Sequence, residues 1–336
     1  MKRPGAVSEE LRENTPPMPE TVRERRQAWT GRTRGGYAGN WIFIRILRFL
    51  GLHAAYLLLV PVAFYFILFA PGALKASTDY LRLRFKRSFP LRLIYSYRHF
   101  FCFGQVLLDR IALANNPGRF KVREEGLSYI LDSIRESKGL VLLSAHAGGW
   151  EAAMSLLDKK QAPVNVVMFK GEAEKIRRLI GESAHTEKIR ILGVSGSPED
   201  SLAVIGALNR GEVVAMHGDR TVGGRTVKLP FLGVPADFPL WPYAVAAAAN
   251  APLIHTFAAR TGTYGYRLKA WPAVKPWLER NAAEREPLRK YAIDFVSHLE
   301  EFLAEYPFQW FNFYPFWNPG LPEKPEIPLW TKNGYS

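Results

Sequence analysis

Gly139-Leu-Val-Leu-Leu-Ser-Ala-His146-Ala-Gly-Gly-Trp150-Glu151-Ala-Ala-Met154 reads as a strand, a tight turn and the start of a helix. The run from Leu140 to Ser144 is apolar enough for a strand covered on both faces. Gly148 and Gly149 then allow a sharp reversal, and Trp150 opens a helical segment. His146 therefore stands at the C-terminal end of a strand, the edge where open α/β sheets gather their ligands. Val164 to Phe169, Val213 to His217 and Leu253 to Ala258 are further short apolar runs bounded by Gly, Pro or charged residues, and they read as central strands. Between them, Ser197-Pro198-Glu199-Asp200 carries a cap, a proline at the first helical position and acids in the first turn. Leu288, Tyr291, Ala292, Phe295, Leu299, Phe302 and Leu303 recur at helical spacing, which predicts an amphipathic helix packed on the sheet. The expected fold class is α/β: a mixed, mainly parallel sheet flanked by helices, preceded by an N-terminal hydrophobic, membrane-associating helical segment.

A chain of 336 residues, 48% hydrophobic, can build a substantial core and is not disordered throughout. Its formal net charge of +14 implies an anionic partner, whether nucleic acid, phospholipid head groups or an acidic carrier protein. The single cysteine, Cys102, excludes an intrachain disulfide and a cysteine-based zinc cluster. Residues 1–40 are polar and charged, unlike a cleavable signal, and are expected to form a mostly mobile basic tail. The apolar run from Phe49 to Ala70 matches the hydrocarbon thickness of a bilayer, so residues 41–72 are the expected membrane anchor. Arginines and lysines flank it on both sides, so flank charge gives no orientation. A single span and a helix pair kinked at Pro61 that dips into one leaflet both fit, and a buried core helix is the plain alternative. Residues 73–136 read as basic helices, 137–320 as the α/β core and 321–336 as a C-terminal tail.

Histidine has the intrinsic pKa of a general base, and a carboxylate on the following helix, Glu151, would fix its tautomer and stabilise the cation. A second block, Gly211-Glu-Val-Val-Ala-Met-His-Gly-Asp219-Arg220, ends an apolar run in an acid and a guanidinium. Arg220 would stabilise an oxyanion or grip a phosphate, although a surface ion pair is the plainer reading. His217 and Asp219 lack a third ligand at metal spacing, so no metal is expected.

The first block resembles the H-x-x-x-x-D/E motif of the lysophospholipid acyltransferase superfamily, in the His-x-Gly-x-Trp-Glu form of the bacterial lipid A late acyltransferases. Asp219-Arg220 and the following Leu229-Pro-Phe-Leu-Gly233-Val-Pro235-Ala are similar to that family's second block. Lys170 and Arg177 stand where the family carries basic residues, for phosphate or carrier-protein contact. Tyr306-Pro-Phe-Gln309-Trp310-Phe-Asn312-Phe-Tyr314 matches the closing element in part, with Asn312 to Tyr314 in place of the usual arginine pair. Branch relatives without that pair look like enzymes acting on other envelope lipids, including glycolipid or aryl polyene conjugates.

The resemblance implies transfer of a fatty acyl group from an acyl carrier protein or coenzyme A thioester to a lipid hydroxyl. His146 and Glu151 would be catalytic, and Arg220, Asp219, Gly149, Trp150, Lys170 and Arg177 would bind substrate or the oxyanion. No cofactor is implied. The implied place is the bacterial inner membrane, with the catalytic unit on the cytoplasmic side. An acyl thioesterase using the same histidine and a non-catalytic membrane-bound lipid-binding protein stay open. Nucleic-acid binding has only charge in its favour, and no such partner is expected.

Overall fold

The computed structural model describes residues 36–86, 88–136, 139–150, 152, 163–170, 189–221, 224–277 and 286–317. The terminal tails expected at residues 1–40 and 321–336 lie largely or wholly outside them.

Nine strands are described: β1 (Lys121–Glu125), β2 (Leu140–Ser144), β3 (Val164–Phe169), β4 (Ile189–Val194), β5 (Val213–His217), β6 (Thr226–Phe231), β7 (Val234–Pro239), β8 (Leu253–Gly262) and β9 (Gly265–Ala270). Seven form one sheet in the order β1-β9-β8-β2-β5-β3-β4, in which every pair is parallel except β8 with β9. The sheet is thus mixed and mostly parallel. Its central strand β2 is buried at every position, which is why the sequence there is apolar without alternation.

The described helices are α1 (Gly36–Phe69), α2 (Pro71–Phe85), α3 (Phe89–Asn115), α4 (Leu127–Glu136), α5 (Pro198–Asn209), α6 (Trp241–Ala248) and α7 (Glu286–Glu305). Alternate residues of β2 serve opposite layers. Val141 and Leu143 join α5, α6 and α7, while Leu140 and Leu142 face α4 through Ile130. In α7 the residues at helical spacing are buried, with Phe295, Leu299 and Leu303 fully so. The start of α5 follows its sequence signal: Asp200 Oδ2 accepts the backbone N–H groups of Gly196 and Ser197 at 2.8 and 2.9 Å.

Three features depart from the sequence reading. Residues 121–125 form an edge strand within the region read as helical; Lys121-Val-Arg-Glu-Glu is charged and largely exposed, so it lacks an apolar signal. Residues 226–239 form the antiparallel hairpin β6–β7, turning on Leu232 and Gly233, both with positive φ. The backbone break within the apolar N-terminal run lies at Gly51 (φ 80°, ψ −176°), whereas Pro61 sits inside helix.

Candidate active site

Because β2 and β5 are parallel neighbours with Ser144 in register with His217, the two strands deliver their C-terminal ends to one place. His146 follows β2, His217 ends β5, and Asp219 and Arg220 follow it. Asp219 is sealed from solvent and His146 keeps 19% of its side chain exposed, so the imidazole is the reachable member of the pair. His146 Nδ1 lies 2.8 Å from Asp219 Oδ1, and the His146 backbone N–H donates to Oδ2 at 3.0 Å. A carboxylate only accepts, so Nδ1 carries the proton and Nε2 keeps its lone pair. His217 Nδ1 stands 3.2 Å from that Nε2 and is therefore the donor of that contact.

Asp219 is the hub of the site. Its Oδ2 also accepts from Trp310 Nε1 at 3.0 Å and from Asn312 Nδ2 at 2.8 Å. Burial by itself would push this carboxyl up. The neighbouring His146 charge and hydrogen bond, followed by His217 and Arg220, outweigh it and hold the group well below the ordinary carboxylate range. For His217 burial dominates, and the nearby His146 charge adds to it, so its imidazole stays neutral well below the usual value. His217 is therefore the neutral neighbour of His146.

The closing segment clamps the turn that carries His146 from the other side. Gly148 N–H donates to Gln309 O at 2.8 Å and Phe311 N–H to His146 O at 2.7 Å, a two-bond antiparallel contact that holds His146 from both flanks. Gln309 is itself fixed by a reciprocal pair with the Arg260 backbone, 2.8 Å in each direction. The Trp310 carbonyl accepts from His99 Nε2 at 2.7 Å, and Ser77 Oγ lies 3.0 Å from His99 Nδ1. Since Nε2 must donate to a carbonyl, Nδ1 is the acceptor and Ser77 supplies the proton; His99 has a buried structural duty.

Gly148 has φ +61°, and a Cβ there would sit 2.0 Å from the Ala258 carbonyl oxygen. Left-handed backbone for a non-glycine residue costs on the order of 1–3 kcal/mol before any clash is counted. Gly148→Ala is accordingly expected to lower the denaturant midpoint of purified protein by at least that equivalent and to reduce activity through displacement of His146. An unchanged midpoint would show that the turn tolerates a side chain.

The residues expected from the sequence fall as follows. His146, Asp219 and Arg220 meet at the sheet edge. Gly149 N–H donates to Ala258 O at 2.8 Å and Gly149 lies against the Tyr266 ring, so it sets the path of the turn. Trp150 is half-buried with its ring 6.2 Å from that of His217 and the Arg110 guanidinium 5.9 Å from its centre. Lys170 is exposed just beyond β3 at the same sheet edge, where its Nζ lies 3.3 Å from Ser195 Oγ. Glu151 and Arg177 lie outside the described residues. Arg220 donates through Nε to Asn312 Oδ1 at 2.7 Å and through Nη2 to Phe311 O at 3.3 Å, with its guanidinium over the Tyr314 ring. Its orientation is thus set by the segment from 311 to 314.

Residues 108–318 match the family model of bacterial lipid A biosynthesis acyltransferases. The chain belongs to that family. No curated protein matches it. The lipid A acyltransferase match begins within α3 and takes in the whole sheet, both sequence blocks and the closing segment. Membership makes the chain an acyltransferase, and with the long apolar helix Trp41–Phe69 it suggests association with a membrane. Beyond the residues singled out in sequence, the site of this family member recruits His217, Trp310 and Asn312. Their signal was present, since His217 lies two residues before Asp219 and the other two sit in the closing motif.

Proposed function

We propose that the protein transfers a fatty acyl group from an acyl thioester, carried by acyl carrier protein or coenzyme A, to a hydroxyl of an envelope lipid. The observation that carries this reading is the partly exposed imidazole of His146 with Nδ1 pinned to the buried Asp219 carboxylate. That arrangement reproduces the base and orienting acid of a catalytic triad, and the acceptor lipid brings the hydroxyl that a serine would otherwise provide.

The acceptor hydroxyl displaces His217 from Nε2 and gives its proton to His146 as its oxygen attacks the thioester carbonyl. The imidazolium that forms is stabilised by Asp219. Arg220, held over Tyr314 and by Asn312, stabilises the oxyanion, and collapse expels the thiolate, which takes the proton back from His146. No covalent acyl-enzyme forms. Glu151, the acid of the sequence motif, is kept in the reading as a second carboxylate of the active site. Lys170 and Arg177 contribute positive charge for the donor, whose carrier protein is acidic or whose coenzyme is phosphorylated. The acceptor is a lipid A-like molecule or another glycolipid or aryl polyene conjugate. Asn312 to Tyr314 stand where the resemblance implies an arginine pair, and the Asn312 amide turns inward to Asp219, which favours an acceptor less anionic than a bisphosphorylated lipid. The reaction takes place at the cytoplasmic face of the bacterial inner membrane.

Purified protein incubated with isotope-labelled acyl thioester, with and without a total lipid extract, tests the reading by mass analysis of products. An extract-dependent labelled ester is expected. Release of free fatty acid alone, regardless of extract, would assign a thioesterase instead, and retention of lipid without any turnover would assign a binding protein. The lipid species that disappears in a deletion strain identifies acceptor and acyl chain together.

A further inference from the structure

All but four of the large apolar side chains that stand exposed among the described residues lie on α1 and α3. Soluble surfaces rarely collect apolar groups in this way. After the Gly51 break, α1 carries two apolar stripes at helical spacing. The inner stripe, Leu52, Ala55, Tyr56, Leu59 and Ala63, is buried. The outer one, Leu57, Val60, Phe64 and Leu68, is 74%, 43%, 57% and 57% exposed. A helix apolar on both sides needs a non-aqueous neighbour on both sides.

α3 supplies the inner neighbour along most of α1. Leu59 seats on Gly104, where a Cβ would come within 2.4 Å of its Cδ1. Phe43, Ile46 and Leu47 join the cluster that contains Ala112, Phe120 and Tyr264, and further along Tyr97 Oη donates to Val60 O at 3.3 Å and the Phe66 ring lies 5.9 Å from Phe100. α3 is in turn bonded to the catalytic body, through His99 to Trp310 and through Asp109 to Arg260 at 2.9 Å. Both halves of α1 therefore lie against the body. Were α1 to cross a bilayer, α3 and the β8–β9 turn would be drawn into hydrocarbon with Arg92, Arg98 and Asp109, each at a cost of several kcal/mol.

We propose that α1 lies along one leaflet, with its outer stripe and the exposed Phe89 and Ile94 of α3 sunk into an anionic bilayer, so that the catalytic unit rests sideways on the membrane without crossing it. Exposed Arg45 and Arg48 on α1 and Arg98 on α3 add positive charge to the same two helices, which anionic head groups complement. The inference rests on the reading that the acceptor is a membrane lipid, and it leaves the chemistry untouched.

Its test is topological. Single cysteines are placed by Ser8→Cys and by Lys228→Cys in a full-length Cys102→Ala background, and each is probed with a membrane-impermeant maleimide in spheroplasts and in everted vesicles. Both are expected to react only in everted vesicles, and reaction of the two on opposite sides overturns the proposal. As a second measurement, purified full-length protein is floated with vesicles of phosphatidylethanolamine and phosphatidylglycerol or of phosphatidylcholine alone. Leu57→Asp with Phe64→Asp is expected to reduce the bound fraction more than tenfold at an unchanged unfolding midpoint, and phosphatidylcholine is expected to bind less than the anionic mixture. Equal binding by the variant, or its loss of a dimer in place of loss of vesicle binding, would reject the lipid-facing role. Turnover in detergent separates the two ideas: absent turnover with intact binding sinks the acyltransferase chemistry, whereas turnover with opposite-side labelling sinks only the docking geometry.

Discussion

Replacement of His146 by alanine is expected to lower acyl transfer by roughly a hundred- to ten-thousand-fold, the usual worth of a positioned general base. The chain path at this position does not depend on the imidazole. The His146 N–H still donates to Asp219 and its carbonyl still accepts from Phe311, both through backbone atoms that alanine keeps. Circular dichroism and the unfolding midpoint should accordingly stay close to those of the parent while turnover of labelled thioester into lipid ester collapses. Transfer at a near-parental rate would remove His146 from the mechanism. It would leave His217 as the nearest candidate, its Nδ1 being 3.2 Å away.

The second large effect is expected at Asp219, where the carboxylate receives four donors: the His146 backbone, His146 Nδ1, Trp310 Nε1 and Asn312 Nδ2. Asp219→Asn preserves shape but turns an N–H₂ group toward at least one of those donors. With an amide in place of the carboxylate, Nδ1 no longer has to carry the proton and the cation loses its counter-charge. An orienting acid changed in this way costs about ten-thousand-fold in a serine protease triad, and a drop of about a thousandfold or more in transfer is expected here. Stability should respond as well, with a pH signature that separates it from catalysis. The folded carboxyl is held below its ordinary value, so the unfolded chain binds the extra proton and stability rises with pH. Its contribution is complete above the ordinary aspartate value of about 4 and is lost as the pH falls toward the folded value. The parent should therefore lose stability below about pH 4 more steeply than Asp219→Asn, read as unfolding midpoint against pH. Parallel curves would show that the carboxylate is not the paired anion described here.

Much of the fold was legible wherever burial leaves one pattern possible. β2, β3 and β5 are apolar runs because central parallel strands have no wet face, and α7 shows a helical repeat because only one of its faces meets the sheet. β1 escaped notice because an edge strand has no such constraint, and β6–β7 because Pro230, Pro235 and Pro239 interrupt any strand pattern. The same distinction runs through the site. His146 was readable from its own strand and turn. That Asp219 rather than a sequence neighbour bonds its Nδ1 depends on β5 lying beside β2, a pairing between residues 73 positions apart. Trp310 and Asn312 reach Asp219 across still greater separations, 91 and 93 residues, and no local pattern encodes such a meeting.

Arg260 ties together parts of the molecule that appear unrelated along the chain. Its guanidinium bonds Asp109 of α3 and the Tyr56 hydroxyl of α1, Tyr266 donates to the same Asp109, and its own backbone holds Gln309 beside the turn that carries His146. Trimming the greasy N-terminal helix to obtain a more tractable protein would thus be self-defeating. A shortened chain starting at Pro71 would take the Tyr56 hydroxyl from the Asp109–Arg260 pair, loosening the residue that holds Gln309 beside His146.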